Sequence, residues 1–128
     1  MAGRLAPPVA AVVSFIDCIN RGDIDGLAAL MHARHTLVVL DEEPLVGRQA
    51  NVEAWKGYFS AYPDYVIYPS RIVASGQRVA VLGTTTGSHL GLPDDEEMKL
   101  TVIWTAKVSD GLLLEWRVRA SDVVAAHP

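Results

Sequence analysis

At Pro63-Asp64 the apolar residues stop recurring every third or fourth position and begin to alternate every second one. A chain whose helices all precede this point and whose four long strands all follow it can be neither a helix bundle nor an alternating βαβ sheet, and the α+β class remains. Upstream, Val9, Val12, Val13, Ile16 and Ile19 follow Pro7-Pro8 and run into Asn20-Arg21-Gly22, which predicts a first helix with a favourable entry and a glycine stop. Asp23 is placed to cap a shorter second helix carrying Ile24, Leu27, Leu30 and Met31, with His32 and His35 at its frayed end. Residues 36–40 read as a strand, 41–44 as a turn and Leu45-Val46 as its short return. Val52, Trp55, Tyr58 and Phe59 then mark a third helix that ends at Pro63.

Downstream, residues 65–74, 78–90, 98–108 and 112–124 read as four strands joined by hairpin turns. Three helices packed on one face of a strongly curved antiparallel sheet follow, forming a cone with an internal pocket, and the 128 residues make one domain, 1–128. Strand alternation assigns the inner rows. On the last strand Leu114, Trp116, Val118, Ala120 and Asp122 share a face; on the one before it, Leu100, Val102, Trp104, Ala106 and Val108 do. On 78–90 the row Val79, Val81, Gly83, Thr85, Gly87 and His89 is taken as inner, with Gly83 and Gly87 marking a bend or the close approach of another group. The net charge of −4 gives no basic field for nucleic acid or an anionic membrane. With no run of about 18 apolar residues and no signal-peptide core, the chain reads as cytoplasmic. The lone Cys18 reads as a buried hydrophobe.

Three pieces carry a family resemblance: Val46-Gly47-Arg48 before the third helix, Tyr62-Pro63-Asp64 after it, and Gly83-Thr84-Thr85-Thr86-Gly87 followed by Gly91-Leu92-Pro93. Their order resembles the nuclear-transport-factor-2-like superfamily, a cystatin-like cone fold, and especially its SnoaL-like polyketide-cyclase branch. The resemblance implies a pocketed cone used by relatives as cyclases, ketosteroid isomerases, epoxide hydrolases and inert binding modules. This chain departs from the cyclase pattern, which has a histidine where Thr85 stands and an acid near Lys99-Leu100. Its Asp122 matches the final aspartate of the epoxide hydrolases, and Asp41 falls about where the isomerases carry their proton-shuttling aspartate.

Two functions remain open. One is an enzyme that needs no metal or organic cofactor and uses general acid/base carboxylates on a hydrophobic carbonyl or epoxide compound, as an isomerase, cyclase or hydrolase does. The other is a non-catalytic ligand-binding or assembly module. Asp122, at the end of an apolar inner row, is the first candidate base or acid, because desolvation moves a carboxyl toward neutral pH. Asp41 and His89 are the assisting candidates. Trp104, Trp116, Val118, Ala120, Thr85, Trp55, Tyr58 and Phe59 are the candidate ligand wall, suited to a small, flat, hydrophobic molecule. His32 and His35 lack a third ligand at a usable spacing and read as helix-end groups rather than a metal site. The outer face, with Thr84, Thr86, Thr101, Ile103, Thr105, Arg117 and Arg119, is expected to join two copies as a homodimer.

Overall fold

The computed structural model describes residues 7–121. Helix α1 (Pro7–Arg21) buries Val12, Phe15, Ile16 and Ile19 along one face, the positions the helical period marks. It stops where Gly22 takes a positive φ of 63°. Asp23 then accepts a hydrogen bond from the Gly26 N–H at 2.9 Å and caps α2 (Ile24–Leu30). Strand β1 (Met31–Val39) pairs with the two-residue β2 (Leu45–Val46), and α3 (Arg48–Ala61) follows. The second half is β3 (Val66–Ser75), β4 (Arg78–Thr86), the one-turn α4 (Asp94–Glu97), β5 (Val102–Ser109) and β6 (Leu112–Ser121). No helix among the described residues is long and apolar enough to cross a membrane.

The six strands form one open sheet in the order β2-β1-β6-β5-β4-β3. Helix α1 packs on it through Phe15, whose ring lies 5.2 Å from that of Trp116. The same helix is tied to the edge strand by Asn20, whose amide donates to the Ile67 carbonyl at 2.9 Å and accepts the Ile67 N–H at 2.8 Å. A side-chain amide here completes the ladder as a neighbouring strand would.

The α+β class and the helix-on-sheet layering agree with the sequence expectation, and five details correct it. The sheet is mixed, because β1 runs parallel to β6, with Thr36 opposite Glu115 and Val39 opposite Val118. His32 and His35 belong to β1, not to a helix end; His35 is fully buried, with Nδ1 on the Leu113 carbonyl at 2.8 Å. β4 stops at Thr86, because Gly87 turns left-handed at φ 70°, so His89 sits in a turn beyond the strand. Residues 98–101 are not strand: α4 precedes them and β5 begins at Val102.

The fifth correction concerns β6, where the two-residue alternation fails twice. Lys107 pairs with Glu115 but Val108 with Leu113, so Leu113 rather than Leu114 takes the buried position. Trp104 pairs with Val118 but Ile103 with Ala120, so the backbone of Ala120 registers with the outward row of β5, not the inner one. An extra residue breaks the simple alternation at its point in the strand.

Candidate functional site

The inner faces of β1, β5 and β6 meet α3 over an internal cavity. It has two communicating lobes of about 200 and 260 Å³, with Val39, Tyr58, Tyr65, His89, Trp104 and Val118 common to both. Trp104 and Trp116 sit side by side on paired strands, their rings stacked at 6.2 Å and 21°, and make a flat floor. Leu37, Ala54 and Trp55 complete the first lobe; Thr85, Ser88, Leu100 and Val102 wall the second.

Polar chemistry concentrates at one end. The Tyr58 hydroxyl lies 2.9 Å from His89 Nδ1 and accepts the His89 backbone N–H at 3.2 Å. Burial pushes the Tyr58 phenol up to about 12, against the pull of that N–H, so it keeps its proton at neutral pH. A phenol has one proton and two lone pairs, so besides taking the backbone N–H Tyr58 can donate to Nδ1 of a ring whose hydrogen is on Nε2, or accept from Nδ1–H. Burial also raises the Tyr65 phenol, whose ring stands edge-on to Tyr58 at 5.0 Å. Tyr62 closes the cluster at 4.8 Å from Tyr58. The polar groups where the cavity meets these rings are phenol hydroxyls and an imidazole.

At the second lobe, Thr85 donates a short hydrogen bond to Glu97, whose other carboxylate oxygen faces the Ser88 N–H at 3.4 Å. Glu97 is only 1% exposed although it belongs to the acidic run 94–97. The run reads as solvated turn residues in sequence, and a four-residue helix is too short to display a period that would single out its inward member. Glu97, Tyr65 and Ser88 are the site residues that sequence reasoning did not find. Tyr65 has a visible signal, since it follows the helix stop among other aromatics.

The structure brings Trp55, Tyr58, Thr85, His89, Trp104, Trp116 and Val118 to one cavity. Phe59 packs on the Trp55 ring at 5.4 Å and is not among the lining residues. Asp41 is exposed in the turn after β1, one residue past the cavity-lining Leu40. Asp122 lies outside the described residues, as does the side chain of Ala120. Among the described residues that line the cavity there is no carboxylate.

A family model described as "SnoaL-like domain" matches residues 12–116. Several solved structures share the fold. A protein from Jannaschia sp. CCS1 described as a SnoaL-like polyketide cyclase is 19% identical, with a TM-score of 0.75 over 94% of this chain and 88% of that one. TerC, co-crystallized with polyporic acid, is 19% identical, with a TM-score of 0.76 over 95% and 96%. A protein from Kribbella flavida DSM 17836 described as a ketosteroid isomerase is 22% identical, with a TM-score of 0.71 over 88% and 76%. At these identities the likeness establishes the fold. No curated protein matches the chain in sequence.

Proposed function

This chain belongs to the SnoaL-like domain family, and we propose that its cavity takes a small, flat, hydrophobic carbonyl compound and moves a proton on it by general acid/base chemistry. The observation that carries this reading is the Tyr58–His89 couple set against the Trp104–Trp116 floor. His89 is exposed at the rim of the cavity, and an N–H held in a fixed direction there stabilises a developing oxyanion without having to reorient. His89 Nε2–H donates to the carbonyl oxygen, Tyr58 fixes the ring's tautomer and orientation, and a carboxylate takes the proton from the carbon beside the carbonyl. That base is assigned on sequence grounds to Asp122, with Asp41 as the alternative. TerC's crystallization with polyporic acid supports a flat aromatic occupant by analogy.

The test uses 1-tetralone as a probe. Binding should shift the indole N–H resonances of the three tryptophans. Exchange of the ketone's α-hydrogens in deuterated water, followed by NMR, should run faster with the protein than in buffer. That acceleration should fall about a hundredfold in His89→Ala and in Asp122→Asn, the scale of one general acid or base. Binding without accelerated exchange would establish the second reading, a non-catalytic ligand carrier.

The outer sheet face supports a homodimer. Leu82 is 38% exposed there and Ile103 lies on the same row, next to the Glu115–Arg117 ion pair at 3.2 Å and the Arg119–Thr105 hydrogen bond at 3.0 Å. Although burial opposes it, Arg117 holds the Glu115 carboxyl below its ordinary range. Sedimentation at micromolar concentration should find twice the 13.8 kDa chain mass; a monomer there removes the proposal.

A further inference from the structure

We propose that the second lobe recognises a hydroxyl group on the ligand through Thr85, and that the buried Glu97 fixes the polarity of that recognition. The inference rests on the carbonyl-ligand reading above and adds a substrate class to it: a flat hydrophobic ketone bearing a phenol or enol hydroxyl away from the carbonyl.

Thr85 is 5% exposed and lines the second lobe. A threonine hydroxyl has one proton and two lone pairs. Thr85 directs its proton away from the lobe, into the Glu97 carboxylate. Glu97 is 1% exposed and joins none of the ion pairs found among the described residues; Thr85 and the Ser88 N–H are the donors it meets. With Thr85 as the donor in that hydrogen bond, its single proton is spent on Glu97 and its lone pairs remain. What Thr85 shows the lobe is acceptor capacity alone. Ser88 Oγ at the same wall is occupied as an acceptor by the Leu90 N–H at 3.2 Å.

The cavity is therefore polar in opposite senses at its two ends. Tyr65 and, in the tautomer proposed above, His89 Nε2–H present donors suited to a carbonyl oxygen, and Thr85 presents an acceptor suited to an O–H. A ligand with an ether or a bare ring edge at that place would leave the acceptor desolvated and unmatched, which is the costly side of a buried hydrogen bond. The family pattern's histidine at this position could donate or accept; threonine locked by a carboxylate makes the choice one-way.

The experiment measures dissociation constants by NMR titration for 1-tetralone, its 5-, 6- and 7-hydroxy derivatives and the corresponding methyl ethers. The best-placed hydroxy compound should bind about tenfold more tightly than both its parent and its methyl ether, the scale of one satisfied hydrogen bond. In Thr85→Val, which keeps the shape and removes the hydroxyl, the ratio between hydroxy compound and methyl ether should fall to about one. In Glu97→Gln the amide can donate to Thr85, releasing its proton toward the lobe, and the preference for hydroxyl over ether should shrink. If no hydroxy compound outbinds its ether in the wild type, or if the preference survives Thr85→Val, the inference is wrong while the carbonyl reading stands. If 1-tetralone and all its derivatives fail to bind, the carbonyl reading fails and takes this inference with it. Should Glu97→Gln fail to fold, the Thr85→Val ratio alone decides.

Discussion

Gly87→Ala is expected to lower the melting temperature by roughly 10 °C, whereas Gly91→Ala, in the same loop, should cost only a third of that. The two glycines have nearly the same backbone, φ 70° and 69°, so the left-handed penalty of about 1 kcal/mol is common to both. Their surroundings differ. A Cβ on Gly91 meets open space, while one on Gly87 falls 2.4 Å from the Asp64 carbonyl oxygen and 2.6 Å from its carbonyl carbon. These are backbone atoms of the segment that follows α3 and cannot swing aside as a side-chain tip can. Overpacking of this kind adds roughly 2 kcal/mol, and a domain of this length loses about 3–4 °C per kcal/mol. The displaced residues would be Ser88 and His89, so the Tyr58–His89 hydrogen bond should weaken in the same variant. Calorimetry of the two variants side by side checks the difference; equal melting temperatures would show that the contact with Asp64 relaxes freely.

Stability should also fall on acidification below pH 6.5, by up to about 1.4 kcal/mol per pH unit from one group. That group is His35. Burial holds its imidazole below the ordinary value, only partly opposed by the Leu113 carbonyl and the charge of Glu115. In the unfolded chain the ring takes up a proton near pH 6.5, whereas in the folded protein it does so only at lower pH. Between those two values the unfolded state binds the extra proton, so falling pH favours unfolding; above 6.5 neither state does and the effect vanishes. Nε2 of His35 is buried without a hydrogen-bond partner among the described residues, and a proton placed there would be a buried charge that Glu115 only partly offsets. Urea unfolding at pH 7.5, 6.5 and 5.5 should show this slope in the wild type and a shallower one in His35→Gln. Parallel slopes would assign the acid sensitivity to the carboxylates instead.

The architecture was legible because it is written in long periodic segments. Val12, Phe15, Ile16 and Ile19 on α1, and Trp104, Ala106 and Val108 on β5, are buried where spacing puts them. Gly83 and Gly87 likewise meet neighbouring backbone, at Tyr68 and Asp64, as interrupted strands lead one to expect. Failure came where a single residue overrides a period. An extra residue at Leu114 and another at Arg119 are invisible to alternation: the first puts Leu113 rather than Leu114 on the buried row, and the second pairs Ala120 with Ile103. Histidines 32 and 35 lie on a strand because β1 finds a partner in β6, a long-range pairing that no local propensity records. Glu97 was hidden because an inward carboxylate and a solvated one are the same letter in an acidic run. Tyr58, His89 and Thr85 were named from the sequence; the Tyr58–His89 and Thr85–Glu97 hydrogen bonds, which decide what the cavity can donate and accept, come only from the tertiary arrangement.

The parallel pairing of β1 with β6 also bears on how the molecule is made. Thr36 and Glu115, partners in that ladder, are separated by about 80 residues of chain, and such non-local contacts make for slow folding, on the scale of milliseconds to seconds. During synthesis β3, β4 and β5 can close on one another as each emerges, whereas β1 and the helices around it wait with an open edge until β6 arrives. Agents that cap exposed strand edges should therefore compete with folding at β1 before they do so at any other strand.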